Sequence, residues 1–281
     1  MRSSLQPERC RKSLTVIQLT LGVALGALFC VPLRAETRPL ATASVQPVEE
    51  LKADPLVRDG LAAEARFDSK VALDFFLRAD ASHPNNAFIL QKISRQYSDL
   101  TVDAADVNEK KRLCVEALAY GKRAADLQPN NAVIVLSLAI CYGKLGLYSD
   151  TRTKIEYSRL VRQYAERALT LDPNYDYAHH VLGRWHYEVA SLGAGTRFLV
   201  KLVYGALPPA STAEAVRHLQ RAVELSPTLP SHQVELGFAL LADGQRDAAR
   251  ATFERALALP IREKYDSEAR ARATAALQKL R

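Results

Sequence analysis

The chain has 281 residues, 48% of them hydrophobic and 25% charged, enough to build a core and too apolar for a disordered body. Its formal charge is +7, but Arg2, Arg9, Arg11, Lys12 and Arg34 against Glu8 put +4 of that in the first 35 residues and leave +3 for the rest. The longest Lys/Arg run after residue 35 is Lys110-Lys111-Arg112, too short for the clustered basic stripe that nucleic acid requires, and no nucleic-acid partner is expected.

At the N-terminus, Arg9, Arg11 and Lys12 precede an uncharged apolar run from Leu14 to Leu33, and Arg34-Ala35 follows. Basic region, apolar region and small terminal residue have the order of a secretory signal peptide over 1–35, with cleavage after Ala35. Phe29 before Cys30 argues against lipidation there. The same run is about long enough to cross a bilayer, so a membrane anchor over 14–33 stands as the alternative. Either reading places the body outside the cytosol of a bacterium, periplasmic in the cleaved form. Residues 36–54 carry Pro, Ala, Thr and Val without helical period and are read as a flexible linker.

Residues 55–281 repeat. Asp54-Pro55 is a helix start, with an Asp cap and Pro in the first turn. Leu56, Gly60, Ala72, Phe76 and Ala79 then lead to Pro84. Leu90, Ile93, Ser94 and Tyr97, an Asp/Asn-rich insertion, Ala117 and Ala124 lead to Pro129. Val135, Leu138, Ala139 and Tyr142, an insertion with Gly143, Gly146 and Asp150, then Val161, Ala165 and Ala168 lead to Pro173. Leu182-Gly183, the longest insertion over about 191–211, then Ala215, Leu219 and Ala222 lead to Pro227. Leu236-Gly237, Leu240, Gly244, Ala249, Phe253 and Ala256 run uninterrupted to Pro260. Small residues alternate with large ones at helical spacing and each unit closes on Pro, which is the tetratricopeptide (TPR) pattern. The expected fold is all-α: a TPR-like α-solenoid of about five helix pairs, with an Ala-rich, charged capping helix over 266–280.

The stretch LGRWHYEVASLG followed by RFLVKLVYGALPPASTAEAVRHLQRAVELSP resembles the regulator of microtubule dynamics family. The resemblance extends over roughly 55–280 and implies a TPR-like fold. It also implies a role near microtubules and organelle membranes, from which an exported chain would depart.

Within the repeats, Gln91, Arg95, Tyr177, His180, Arg184 and Tyr187 fall on first-helix faces that line a solenoid groove. Cations, an imidazole and aromatic rims there suit a carboxylate or phosphate joined to an apolar chain. In the insertion Phe198, Leu199, Leu202 and Val203 share one helical face and are read as a lid packed over the solenoid, with lipid contact as the alternative. Cys114 and Cys141 lie on neighbouring helices, either as two small buried residues or as one disulfide. His179 and His186 occupy packing positions and are read as structural, so no metal and no cofactor is expected. Gly193-Ala194-Gly195 follows a helix and not a strand, and no nucleophile elbow, phosphate loop or zinc-protease motif occurs, so the chain is not expected to be an enzyme. The leading functional expectation is an exported adaptor that holds a protein or peptide partner in the cell envelope. The alternatives are a lipid-binding or lipid-transfer module and a microtubule- or membrane-contact-associated protein. A peptide binder should show an open polar groove, a lipid binder a closed apolar cavity under the insertion.

Overall fold

The computed structural model describes residues 48–205 and 207–280, apart from the side chains of residues 194 and 197–199. The signal peptide or anchor of 1–35 and the linker up to residue 47 lie outside the described residues. The linker expected through residue 54 ends sooner. Val48–Ala53 forms helix α1, because Leu51 finds an apolar site against Val57 and Phe76.

Twelve further helices follow among the described residues, with no strand. They are α2 (Pro55–Ala65), α3 (Ser69–Ser82), α4 (Ala87–Asp103), α5 (Val107–Leu127), α6 (Ala132–Leu147), α7 (Thr151–Leu171), α8 (Asp176–Ala190), α9 (Ala194–Tyr204), α10 (Thr212–Leu225), α11 (Pro230–Ala242), α12 (Arg246–Ala258) and α13 (Asp266–Leu280). The pairs are α2/α3, α4/α5, α6/α7, α8/α10 and α11/α12, with α13 packed on the last pair as the cap. The first helices stack on one another, α4 on α6, α6 on α8 and α8 on α11, and form the inner layer of the solenoid. In α4/α5 and α6/α7 most of the extra sequence is spent on longer helices. Those four run 17, 21, 16 and 21 residues, against 11 and 14 in the first pair.

Each pair closes on a small residue set against a large one. A Cβ on Gly60 would come within 2.9 Å of the Phe76 ring, and one on Gly183 within 2.6 Å of Leu219. Gly237 stands in the same relation to Phe253. Phe76 and Phe253 are fully buried, each worth about 2–3 kcal/mol of apolar transfer. In the second pair Ser94 takes the small position, donates to the Ala117 carbonyl at 2.7 Å, and faces Gly121. Between pairs, Asn86 accepts from the Phe88 and Ile89 amides, and Asn131 accepts from Val133 and Ile134. Pro-Asn-Asn therefore ends one unit and caps the next. No helix among the described residues is long and apolar enough to cross a membrane.

Candidate functional site

The inner layer is charged, and much of its charge is already matched. Arg95 on α4 lies 3.3 Å from Glu64, 3.7 Å from Asp99 and 3.6 Å from Glu263. Burial works against its charge, yet the three carboxylates hold its pKa above the ordinary value. Gln91 is half-buried one turn earlier on the same helix. Tyr177, at the start of α8, hydrogen-bonds Glu263 and packs edge-on against His232 with ring centroids 5.1 Å apart. His180 reaches the Nδ1 of His232 at 3.0 Å, and His232 Nε2 lies 3.3 Å from Asp176. An Nε2–H on His232 donates to the carboxylate and its Nδ1 accepts from His180, a proton placement assigned from the network. Burial pushes the His180 pKa down to about 3, so its ring is neutral.

Arg184 and Tyr187 converge on a residue that the sequence pattern did not single out. Glu235 on α11 is 3% exposed. It receives Arg272 Nη1 at 2.6 Å and the Tyr187 hydroxyl at 3.1 Å, and Arg184 lies 3.8 Å away. Burial alone would raise the Glu235 pKa, but the two guanidiniums bring it below the usual carboxylate range. Arg272 comes from the cap and also covers the Phe238 ring at 4.6 Å.

The groove is polar, as expected of a peptide binder, but it is not open. Residues 259–265, between α12 and α13, lie against its N-terminal half. Asp266 fastens this strap by accepting from the Arg262 and Glu263 amides at 2.8 Å each, and Arg270 donates to the Leu259 carbonyl. From that base Glu263 meets Arg95 and Tyr177. Lys264 Nζ reaches Asp103 at 2.5 Å and Ser69 Oγ at 3.1 Å. The Tyr265 hydroxyl lies 2.8 Å from Asp99 Oδ1 and 3.0 Å from the Ser98 carbonyl. Lys144, in the last turn of α6, donates to the Tyr265 hydroxyl and to the Ser98 carbonyl and lies over the tyrosine ring at 4.4 Å. Burial lowers the Lys144 pKa and raises that of Asp99, each drawn back by the other. One short linker thus touches α4, α6 and α8 at once.

On the outer side, His186, Glu214 and His218 place one ligand atom each within 4.8 Å of one another, the set that could hold a metal ion among the described residues. Arg217 already sits there, donating to His218 Nε2 at 2.9 Å and to Glu214 at 2.5 Å, and Arg162 lines the same depression. Two guanidiniums oppose a second cation at that spot. His218 Nδ1 meets His179 Nδ1 at 2.9 Å, and His179 Nε2 meets the Pro173 carbonyl at 3.1 Å. Those contacts are satisfied together when both rings are neutral.

The other sequence-derived candidates fall outside the groove. Cys114 and Cys141 are both buried free thiols, so the disulfide is not formed, and burial raises Cys141 to about 11. The insertion does not close as a lid over its described apolar side chains: Leu202 is 72% and Val203 63% exposed. The part of the insertion that follows α9 does the packing. Leu207 and Ala210 pack against the α6–α8 core, while Arg159 on α7 holds the Tyr204 carbonyl at 2.8 Å. Phe198 and Leu199 have no described side chains. Glu235, Glu263, Lys144 and Tyr265 were not legible as site residues. The one signal present was a lone charge inside an apolar run, Glu235 in Val-Glu-Leu-Gly and Lys144 in Tyr-Gly-Lys-Leu.

A family model described as regulator of microtubule dynamics protein 1-3 matches residues 56–281. Regulator of microtubule dynamics protein 1 of Bos taurus is 31% identical over 153 residues, which is 54% of this chain and 48% of that protein. The Pongo abelii protein of the same name is 28% identical over 198 residues, covering 70% of this chain and 60% of its own length. The chain spans about half the length of most of these relatives. Among solved structures, a thermophilic TPR protein of Thermus thermophilus superposes with a TM-score of 0.58 at 21% identity. The match covers 79% of this chain and 97% of that one, and establishes the shared fold.

Proposed function

This chain belongs to the regulator of microtubule dynamics family, and on that premise we propose that it is a non-enzymatic scaffold whose concave face takes a protein or peptide partner. One observation carries the reading. A stretch of linker polypeptide, the strap, already lies on that face, turning through Glu263–Tyr265, and is held by side chains from three successive units. The inner layer therefore has the form and donor set to grip a peptide. Its ionisable groups bind one another, as Arg95 binds Glu263 and Glu235 binds Arg272, in the manner of recognition and not of proton transfer.

The finer proposal is place: residues 1–35 export the chain, and the partner belongs to the cell envelope. Mass spectrometry of the mature protein tests it, with an N-terminus at Glu36 as the expected result and retention of Met1 in the cytosolic fraction as the opposing one. For the scaffold itself, a photo-crosslinking residue at Gln91 on the inner face should give a discrete protein adduct in cells. The same residue at Lys111 on α5 should not. Equal labelling from both positions, or none from Gln91, removes the proposal.

The lipid alternative keeps one support, the exposed Leu202 and Val203 beside Lys201 on α9. Flotation with anionic vesicles that is lost in Leu202→Asp would favour it over the peptide groove.

A further inference from the structure

We propose that the strap is a resident copy of the ligand. On this view the N-terminal half of the groove recognises a short peptide bearing an acidic residue, a lysine and a tyrosine in succession, and the partner enters by exchanging with Glu263-Lys264-Tyr265. The proposal deepens the scaffold reading and rests on it.

The receptor side is built from residues far from the strap in sequence. Arg95 is the seat for the acid, at 3.6 Å from Glu263, with the Tyr177 hydroxyl as a second hydrogen-bonding group. Asp103 and Ser69 Oγ are the seat for the lysine, at 2.5 and 3.1 Å. Asp99 and the Ser98 carbonyl are the seat for the phenol, and Lys144 covers its ring. Every one of these groups belongs to the repeats, on α3, α4, α6 or α8, and the groups they seat all come from the linker between α12 and α13. The contacts are polar and largely buried, with the Glu263 and Lys264 side chains 19% and 12% exposed. The core seams between helix pairs make no use of them. A segment held this way can leave without unfolding the solenoid, unlike one held by the buried Phe253 or Leu219.

Tethering gives the strap a high effective concentration, so a free peptide competes poorly until the strap is weakened. The test uses residues 36–281 and a fluorescein-labelled peptide, Pro-Ile-Arg-Glu-Lys-Tyr-Asp, the sequence of 260–266. Fluorescence anisotropy should show the peptide binding Tyr265→Ala at least about tenfold more tightly than wild type. Adding Asp99→Asn to Tyr265→Ala should abolish that gain, as should tyrosine-to-alanine in the peptide. Should Tyr265→Ala lose helical circular dichroism, Lys264→Ala serves in its place, since that side chain touches only Asp103, Ser69 and the Phe67 carbonyl. In wild type, saturating peptide should speed amide hydrogen exchange in 260–265 and leave α12 unchanged.

Equal affinity for wild type and strap variants, or affinity indifferent to Asp99→Asn, overturns the proposal, because the peptide then binds elsewhere. No binding to any folded variant overturns it too. In either case a persistent crosslink from Gln91 would leave the scaffold reading standing, whereas loss of that crosslink in both wild type and Tyr265→Ala would remove both.

Discussion

Within the helix pairs Gly60 faces Phe76 and Gly237 faces Phe253, dry contacts between neighbours in sequence. On the inner layer Arg95 is set among Glu64, Asp99 and Glu263, and Glu235 among Arg184, Arg272 and Tyr187. The seams depend on shape and are repeated with little change from unit to unit. The inner layer depends on charge and is different in every unit. A solenoid can vary the second freely because the first carries the fold, so function is to be sought where the units differ.

The contrast predicts how each region fails. Phe253→Ala should cost about 4 kcal/mol in urea unfolding through the cavity it leaves, with no change in salt dependence. Glu235→Ala should cost about 3 kcal/mol, less than a fully enclosed ion would, because Arg184 and Arg272 keep partial access to water. Its loss should shrink at high salt. Equal salt responses in the two variants would erase the distinction.

A smaller effect separates the regions by pH. Burial first, then Arg217, pushes the His218 pKa down to about 4, from an ordinary 6.5. The unfolded chain therefore binds more protons between those values. Stability is full above about pH 7 and declines as pH falls from about 6.5 towards 4. The urea midpoint of wild type should drop between pH 7.5 and 5.0, and that of His218→Gln should drop less. Smallest is Asn131→Ala, which removes one helix cap and should cost about 1 kcal/mol without touching groove or pH response.

The repeat was legible because its signal is local. Ala72, Phe76 and Ala79 recur as Ala249, Phe253 and Ala256 at one helical spacing, and Pro or Pro-Asn-Asn marks the joints. Placement of Arg95, Tyr177, His180, Arg184 and Tyr187 on the inner layer followed from the same spacing. What that spacing could not supply was their partners. Leu202 and Val203 had the periodicity of a packed face, yet their helix leaves them in solvent, since the segment after it, at Leu207 and Ala210, makes the contact. The residues of 48–53 lacked a visible period because one buried leucine suffices for so short a helix.

By itself, then, the sequence determined an all-α repeat, its pairing and its cap, because burial of alternating small and large side chains is decided locally, within a single repeat. Only the tertiary structure decided that the groove is occupied. Tyr265 meets Asp99 across 166 positions of chain, and Arg272 meets Glu235 across 37. Such pairings arise when a curved stack brings its cap back over its own inner face, and no local periodicity encodes that curvature.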